Sequence, residues 1–165
     1  SSIVLGIAMI ILYISSTLFH SFPEKMKRVS SVFQRLDHSS IFILISGTYT
    51  PFLVLLVNTK EAYVLLIILW SMTLIGIVMK SIWIHKFKFV HLAIYLFMGW
   101  SIMFIINEVY YGIGDIFLFL LLGGISYTVG VAFYVARFKY NHFVWHIFVL
   151  GGTVFHFVAV YGYLL

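Results

Sequence analysis

Long apolar runs alternate with short polar or basic segments along the whole chain. A membrane-crossing helix needs roughly 20 predominantly apolar residues, and at that length the pattern predicts six helices. The first covers about Ile3 to Phe22 and is stopped by Pro23, which lacks the N–H a helix interior requires. The second runs from about Asp37 to Asn58, the third from Glu61 to Met79 and the fourth from Phe89 to Ile106. The fifth covers about Asp115 to Arg137, and the sixth runs from Asn141 to the C-terminus. Membrane strands would show alternating segments of roughly ten residues, and these continuous runs exclude a barrel. The expected fold is all-α, a polytopic transmembrane helical bundle forming one domain over 1–165.

Composition agrees. The 165 residues are 63% hydrophobic and 9% charged, against about half apolar and about a quarter charged in a soluble domain. With a mean hydropathy of +1.11, the chain is an integral membrane protein by composition. The absence of cysteine removes disulfides, thiolate nucleophiles and thiolate metal sites together. A net charge of +5 raises the question of nucleic acid, but the basic residues lie in short connections, where they act as topology signals. No nucleic-acid partner is expected. Ser1 stands where a Met would be, and no charged segment or cleavage site precedes the first apolar run. A truncated N-terminus is expected rather than a signal peptide.

The basic residues orient the helices. Lys25, Lys27, Arg28 and Arg35 follow the first helix, Lys80, Lys86 and Lys88 the third, and Arg137 and Lys139 the fifth. The other two connections hold only Lys60, with Glu61, Glu108 and Asp115. Nine of the ten basic residues therefore fall on one side, which the positive-inside rule makes cytoplasmic. The C-terminus is then outside, in a multi-pass protein of the cell membrane.

Candidate chemistry gathers at the cytoplasmic side. His142 and His146 lie four residues apart in HFVWHIF, so they project from one helix face a turn apart. That spacing lets one helix give two imidazoles to a metal ion; the alternative is two interfacial histidines on an amphipathic turn. His20 closes the first helix at the same face, and Asp37 opens the second. Three neutral imidazoles and a water satisfy tetrahedral zinc with the open position that catalytic sites keep. Ionisable groups at membrane depth usually mark function. Ser16, one turn before His20, either bonds a water or ligand at such a site or bonds its own helix carbonyl. Asp37 has an alternative as an N-cap or first-turn acid.

The other histidines differ. His156 is ten residues past His146, roughly 15 Å deeper and on another face, so it is expected as a buried, hydrogen-bonded histidine outside the metal set. His38, beside Asp37, is a weaker supporting candidate, and His85 and His91 are expected in solvent or against headgroups. Gly47, Thr48, Thr50 and Pro51 should loosen the second helix in its outer half. Gly123, Gly124, Gly130, Gly151 and Gly152 should allow close helix approach. Trp83, Trp100 and Trp145 fit interfacial belts.

Taken together, Ser16-x3-His20, RLD ending in Asp37, GTYTPF, YLFMGW, GGISYTVGVAFY and HFVWHIFVLGGTVFHF follow one another in order. This succession resembles the hemolysin III branch of the progestin and adiponectin receptor superfamily, over essentially the whole chain. The resemblance implies a seven-helix membrane fold with a zinc ion near the cytoplasmic face, so the family's first helix is expected to be missing here. It implies zinc ligands at His20, His142 and His146, with a water as the fourth. It also implies that Ser16 and Asp37 serve the site, with Asp37 reaching the metal through water, and that His156 is not a ligand. The wider superfamily includes alkaline ceramidases, and the hemolysin III name comes from a cytolytic activity ascribed to bacterial members.

The expected function is therefore zinc-dependent hydrolysis of a lipid amide or ester, with a membrane lipid as substrate and Asp37 and Ser16 as the catalytic polar groups. A non-enzymatic cytolysin or pore, or a receptor-like protein with structural zinc, is the alternative. Metal transport would want a second ligand layer across the membrane, which His156 alone does not supply. A reporter fused after Leu165 should be active only on the outer side of the membrane; activity in the cytoplasm would reverse the orientation.

Overall fold

The computed structural model describes residues 2–23, 26–83, 86–114 and 116–164, with the side chains at 88, 163 and 164 left aside. Lys25, His85 and Asp115 therefore lie outside the described residues. The helices are α1 (Ser2–Ser21), α2 (Lys27–Pro51), α3 (Lys60–Ile82), α4 (Lys88–Trp100), α5 (Ile106–Ile113), α6 (Ile116–Val135) and α7 (Asn141–Leu164). The described residues contain no strand, and six helical segments are long and apolar enough to cross a membrane. Two compact units divide the chain, Ser1–Met98 and Gly99–Leu165, with the division inside α4.

In the first unit α2 is the central helix, packed against α1 and α3. Helix α1 is apolar all round, yet it buries only Leu5, Ala8, Leu12 and Ser15, a seam at alternating spacings of three and four. Ile3, Ile7, Ile10 and Ile14 stay exposed, as suits a face turned to lipid. Helix α3 buries Ala62, Leu65, Leu69, Thr73, Gly76 and Lys80 in the same rhythm. Between them, α2 buries Ser39, Ser40, Ser46, Gly47, Thr48 and Thr50. Small residues let helices approach closely where lipid supplies no hydrophobic drive to association. A Cβ added at Gly47 would stand 2.7 Å from Ala8 Cβ. The buried hydroxyls are bonded: Ser46 lies 2.7 Å from Thr73, whose hydroxyl donates to the Phe42 carbonyl at 3.2 Å. Thr50 donates to the Ser46 carbonyl and accepts from the Trp70 indole at 3.2 Å.

Helix α2 begins at Lys27, not at Asp37. The segment KRVSSVFQRL is too polar to join an apolar window, but it continues the helix. Asp37 is thus almost three turns inside, which removes its reading as an N-cap or first-turn acid. At the other end Pro51 is followed by a π-helical stretch, Phe52–Val57, where the Asn58 N–H reaches back to the Leu53 carbonyl at 3.0 Å. Pro51 has no N–H for the ladder, and a wider turn there is the loosening expected from GTYTPF. Asn58 then takes a left-handed conformation, and the Thr59 side chain caps α3 by accepting from the Ala62 N–H.

The apolar segment that starts with α4 extends further than Ile106. It passes through a 3₁₀ stretch, Ser101–Ile105, into α5. His91 and Lys80, expected in solvent or in a basic loop, are 1% and 3% exposed. His91 shares a face of α4 with the buried Tyr95 and Met98 at four and seven residues' spacing, and Lys80 ends the buried seam of α3.

In the second unit α6 and α7 form an antiparallel hairpin, tied at its turn by the Asn141 side-chain amide donating to the Ala136 carbonyl at 2.7 Å. Glycines set its separation. A Cβ at Gly123 would strike the His156 ring, and one at Gly152 would lie 2.8 Å from the Tyr127 ring. Gly130 faces Trp145 and Phe148, and Gly151 faces Ser126, whereas Gly124 meets nothing within 4 Å. Trp100 lies midway along Phe89–Ile113 and donates its indole N–H to Thr128 at 3.0 Å, so it is a packing residue rather than a belt residue. Gly152→Ala should destabilise the fold by about 1–3 kcal/mol, the usual cost of overpacking. An unfolding midpoint equal to wild type would show that this contact is not tight.

Candidate functional site

Each unit carries part of the polar set. In the first, Ser16 and His20 lie on the last turns of α1 and Asp37 lies on α2. Ser16 and His20 both lie near the Asp37 carboxylate. Ser15 bonds its own helix, donating to the Ile11 carbonyl at 2.7 Å.

Asp37 is 9% exposed and held from several sides. Its backbone carbonyl accepts from Ser40 at 2.6 Å, and Ser40 Oγ stands 3.2 Å from Ser15 Oγ across the α1–α2 contact. This pair of buried serines registers the two helices beside Ser16 and Asp37. They carried no distinguishing mark in the sequence, since serines also occur elsewhere in these helices. His38 is 3.8 Å from the Asp37 carboxylate, too far for a hydrogen bond, and its Nδ1 is 2.8 Å from the Gln34 carbonyl. The Tyr95 hydroxyl donates to the His38 carbonyl at 2.8 Å and so fixes the backbone next to Asp37.

In the second unit His142 and His146 stand on the first turns of α7 with their rings at 88° and centroids 4.6 Å apart. Their Nε2 atoms face each other at 3.0 Å. Two nitrogens on one tetrahedral zinc at about 2.05 Å stand about 3.3 Å apart, so the pair has close to the bite a metal requires. Without a metal the same approach needs one ring to donate and the other to accept. The donor set and its separation both fit a divalent metal that favours imidazole.

His156 is separate from this pair. Its Nε2 lies 3.2 Å from the Leu120 carbonyl, to which it donates, and its ring packs on Tyr127 at 5.5 Å. The histidine is thereby engaged within the hairpin, well along α7 from His146. His91 is likewise internal, with Nδ1 2.9 Å from the Phe87 carbonyl.

A family model described as "Haemolysin-III related" matches residues 1–157. The chain belongs to the haemolysin III family. Among haemolysin III relatives, the Hemolysin-3 homolog of Bacillus subtilis (strain 168) is 40% identical over 162 residues, covering 97% of this chain and 75% of its own length. Hemolysin-3 of Bacillus cereus is also 40% identical, over 98% of this chain and 74% of its own. The human monocyte to macrophage differentiation factor is 29% identical over 96% of this chain and 68% of its own length. No solved structure gives a significant match. Family and fold together make this a multi-pass membrane protein.

Ser40→Ala removes a fully buried hydroxyl that bonds the Asp37 carbonyl. Stability should fall by about 1 kcal/mol, the typical net worth of such a bond. Unchanged stability would mean that water replaces Ser40.

Proposed function

We propose that this haemolysin III protein is a zinc-dependent hydrolase of a membrane lipid amide or ester. His20, His142 and His146 are the proposed ligands, on the histidine spacing and the family resemblance. The observation that carries the reading is the facing of two imidazole nitrogens at 3.0 Å on α7. The positions of the basic residues support a cytoplasmic site and an outer C-terminus, which would let a substrate arrive from the inner leaflet.

When bound, zinc supplies a Lewis acid that polarises a carbonyl and acidifies a coordinated water. The protein's own groups supply the rest. Asp37 orients the attacking water and accepts its proton, then returns a proton to the leaving amine or alcohol. Ser16, which lies near Asp37, would donate to the carboxylate and keep its acceptor lone pairs aimed at the water.

The printed names of the Bacillus relatives favour a second reading, membrane lysis. Leakage of loaded vesicles that survives His20→Ala would support lysis without a metal. Elemental analysis of detergent-purified protein is the primary test. Roughly one zinc per chain, lost in His142→Ala/His146→Ala, is expected. The zinc-loaded protein should then hydrolyse lipid amides or esters, with Asp37→Asn slowing turnover by about 10²–10⁴-fold. A folded wild type without zinc would overturn the hydrolase reading.

A further inference from the structure

An isolated His-x3-His pair is not a preformed chelate. Each imidazole can choose among staggered rotamers, and only one combination turns both Nε2 atoms toward a common point. In the second unit the pair already adopts such a combination, with its rings perpendicular and the nitrogens 3.0 Å apart. A ring packed against one imidazole would favour that combination beside the contact between the two nitrogens.

We infer that Tyr134 is a positioning residue for the metal pair, acting as one member of an aromatic bracket that holds the His142 ring in its chelating rotamer. Tyr134 stands near the end of α6, opposite the start of α7. Its ring centroid is 6.3 Å from that of His142 at 51°, and 5.4 Å from that of Trp145 at 55°. Both separations lie in the range where tilted aromatic rings attract. Trp145 is seated by an absence: a Cβ at Gly130 would approach its ring to 3.2 Å. Gly130 and Tyr134 are one turn apart on the same face of α6. The support therefore runs from the bare backbone at Gly130 through Trp145 and Tyr134 to His142.

The inference rests on the metal reading above and adds a residue that touches neither metal nor substrate. The proposed support is the contact between rings, which phenylalanine at this position would retain. Supporting contacts of this kind change metal affinity by about 10–100-fold when lost.

The experiment measures zinc affinity of the full chain in detergent by competition with a fluorescent chelator. The visible spectrum of the cobalt-loaded protein and the thermal unfolding midpoint are recorded beside it. Tyr134→Ala should weaken zinc binding by about tenfold and reduce the intense tetrahedral cobalt absorption. Tyr134→Phe should restore both. Should Tyr134→Ala fail to fold, Trp145→Leu removes the backing of the same ring, and its weakened affinity tests the same bracket. Wild-type affinity in folded Tyr134→Ala or Trp145→Leu would overturn the positioning role while leaving the metal reading intact. Failure of Tyr134→Phe to restore binding would also overturn it. A wild type that binds no metal would remove both readings together.

Discussion

Helices in a bilayer gain little by hiding apolar surface from one another, because lipid is as apolar as the partner helix. Association then depends on how closely backbones approach and on hydrogen bonds that replace those water would make. Both units are built on this constraint. In the first, α2 supplies serines, threonines and Gly47 to seams on α1 and α3, while most large side chains of α1 point outward. In the second, Gly123, Gly130 and Gly152 set the distance between α6 and α7. The polar residues near the candidate metal donors follow from that close approach. Ser16 comes near Asp37 where the neighbouring Ser15 bonds Ser40 across the same two helices.

Small residues thus do two jobs with one geometry. Close approach stabilises the helix pairs, and it also brings short side chains within hydrogen-bond range across an interface. A leucine at position 40 would separate α1 from α2 and carry Ser16 off Asp37. The same reasoning links Gly130 to the histidine pair, since its bare backbone admits the Trp145 ring that backs Tyr134.

Much of this was legible in the residues. Continuous apolar runs show the number of helices, and the four-residue spacing of His142 and His146 shows a shared face. What stayed hidden follows from the method of reading. A hydropathy window registers average polarity, so the amphipathic start of α2 was cut off and Asp37 was placed at a helix end instead of inside it. His91 and Lys80 sit next to a basic loop in sequence, but which face they occupy depends on where α3 and α4 start and stop. Trp100 resembled a belt residue until Thr128, from another helix, accepted its N–H. Ser40 could not be singled out because its role depends on a partner helix, and one sequence gives no direct view of pairing.

The bond from His156 to the Leu120 carbonyl bears on how the chain enters the membrane. An imidazole well inside an apolar helix is poorly accommodated by lipid alone, since a polar group without a partner costs several kcal/mol in hydrocarbon. Its described partner belongs to α6, which is synthesised first and is joined to α7 by a turn of only a few residues. Helix α7 is therefore best delivered to the bilayer already folded against α6. The hairpin, rather than the single helix, is the natural unit of insertion for this end of the protein.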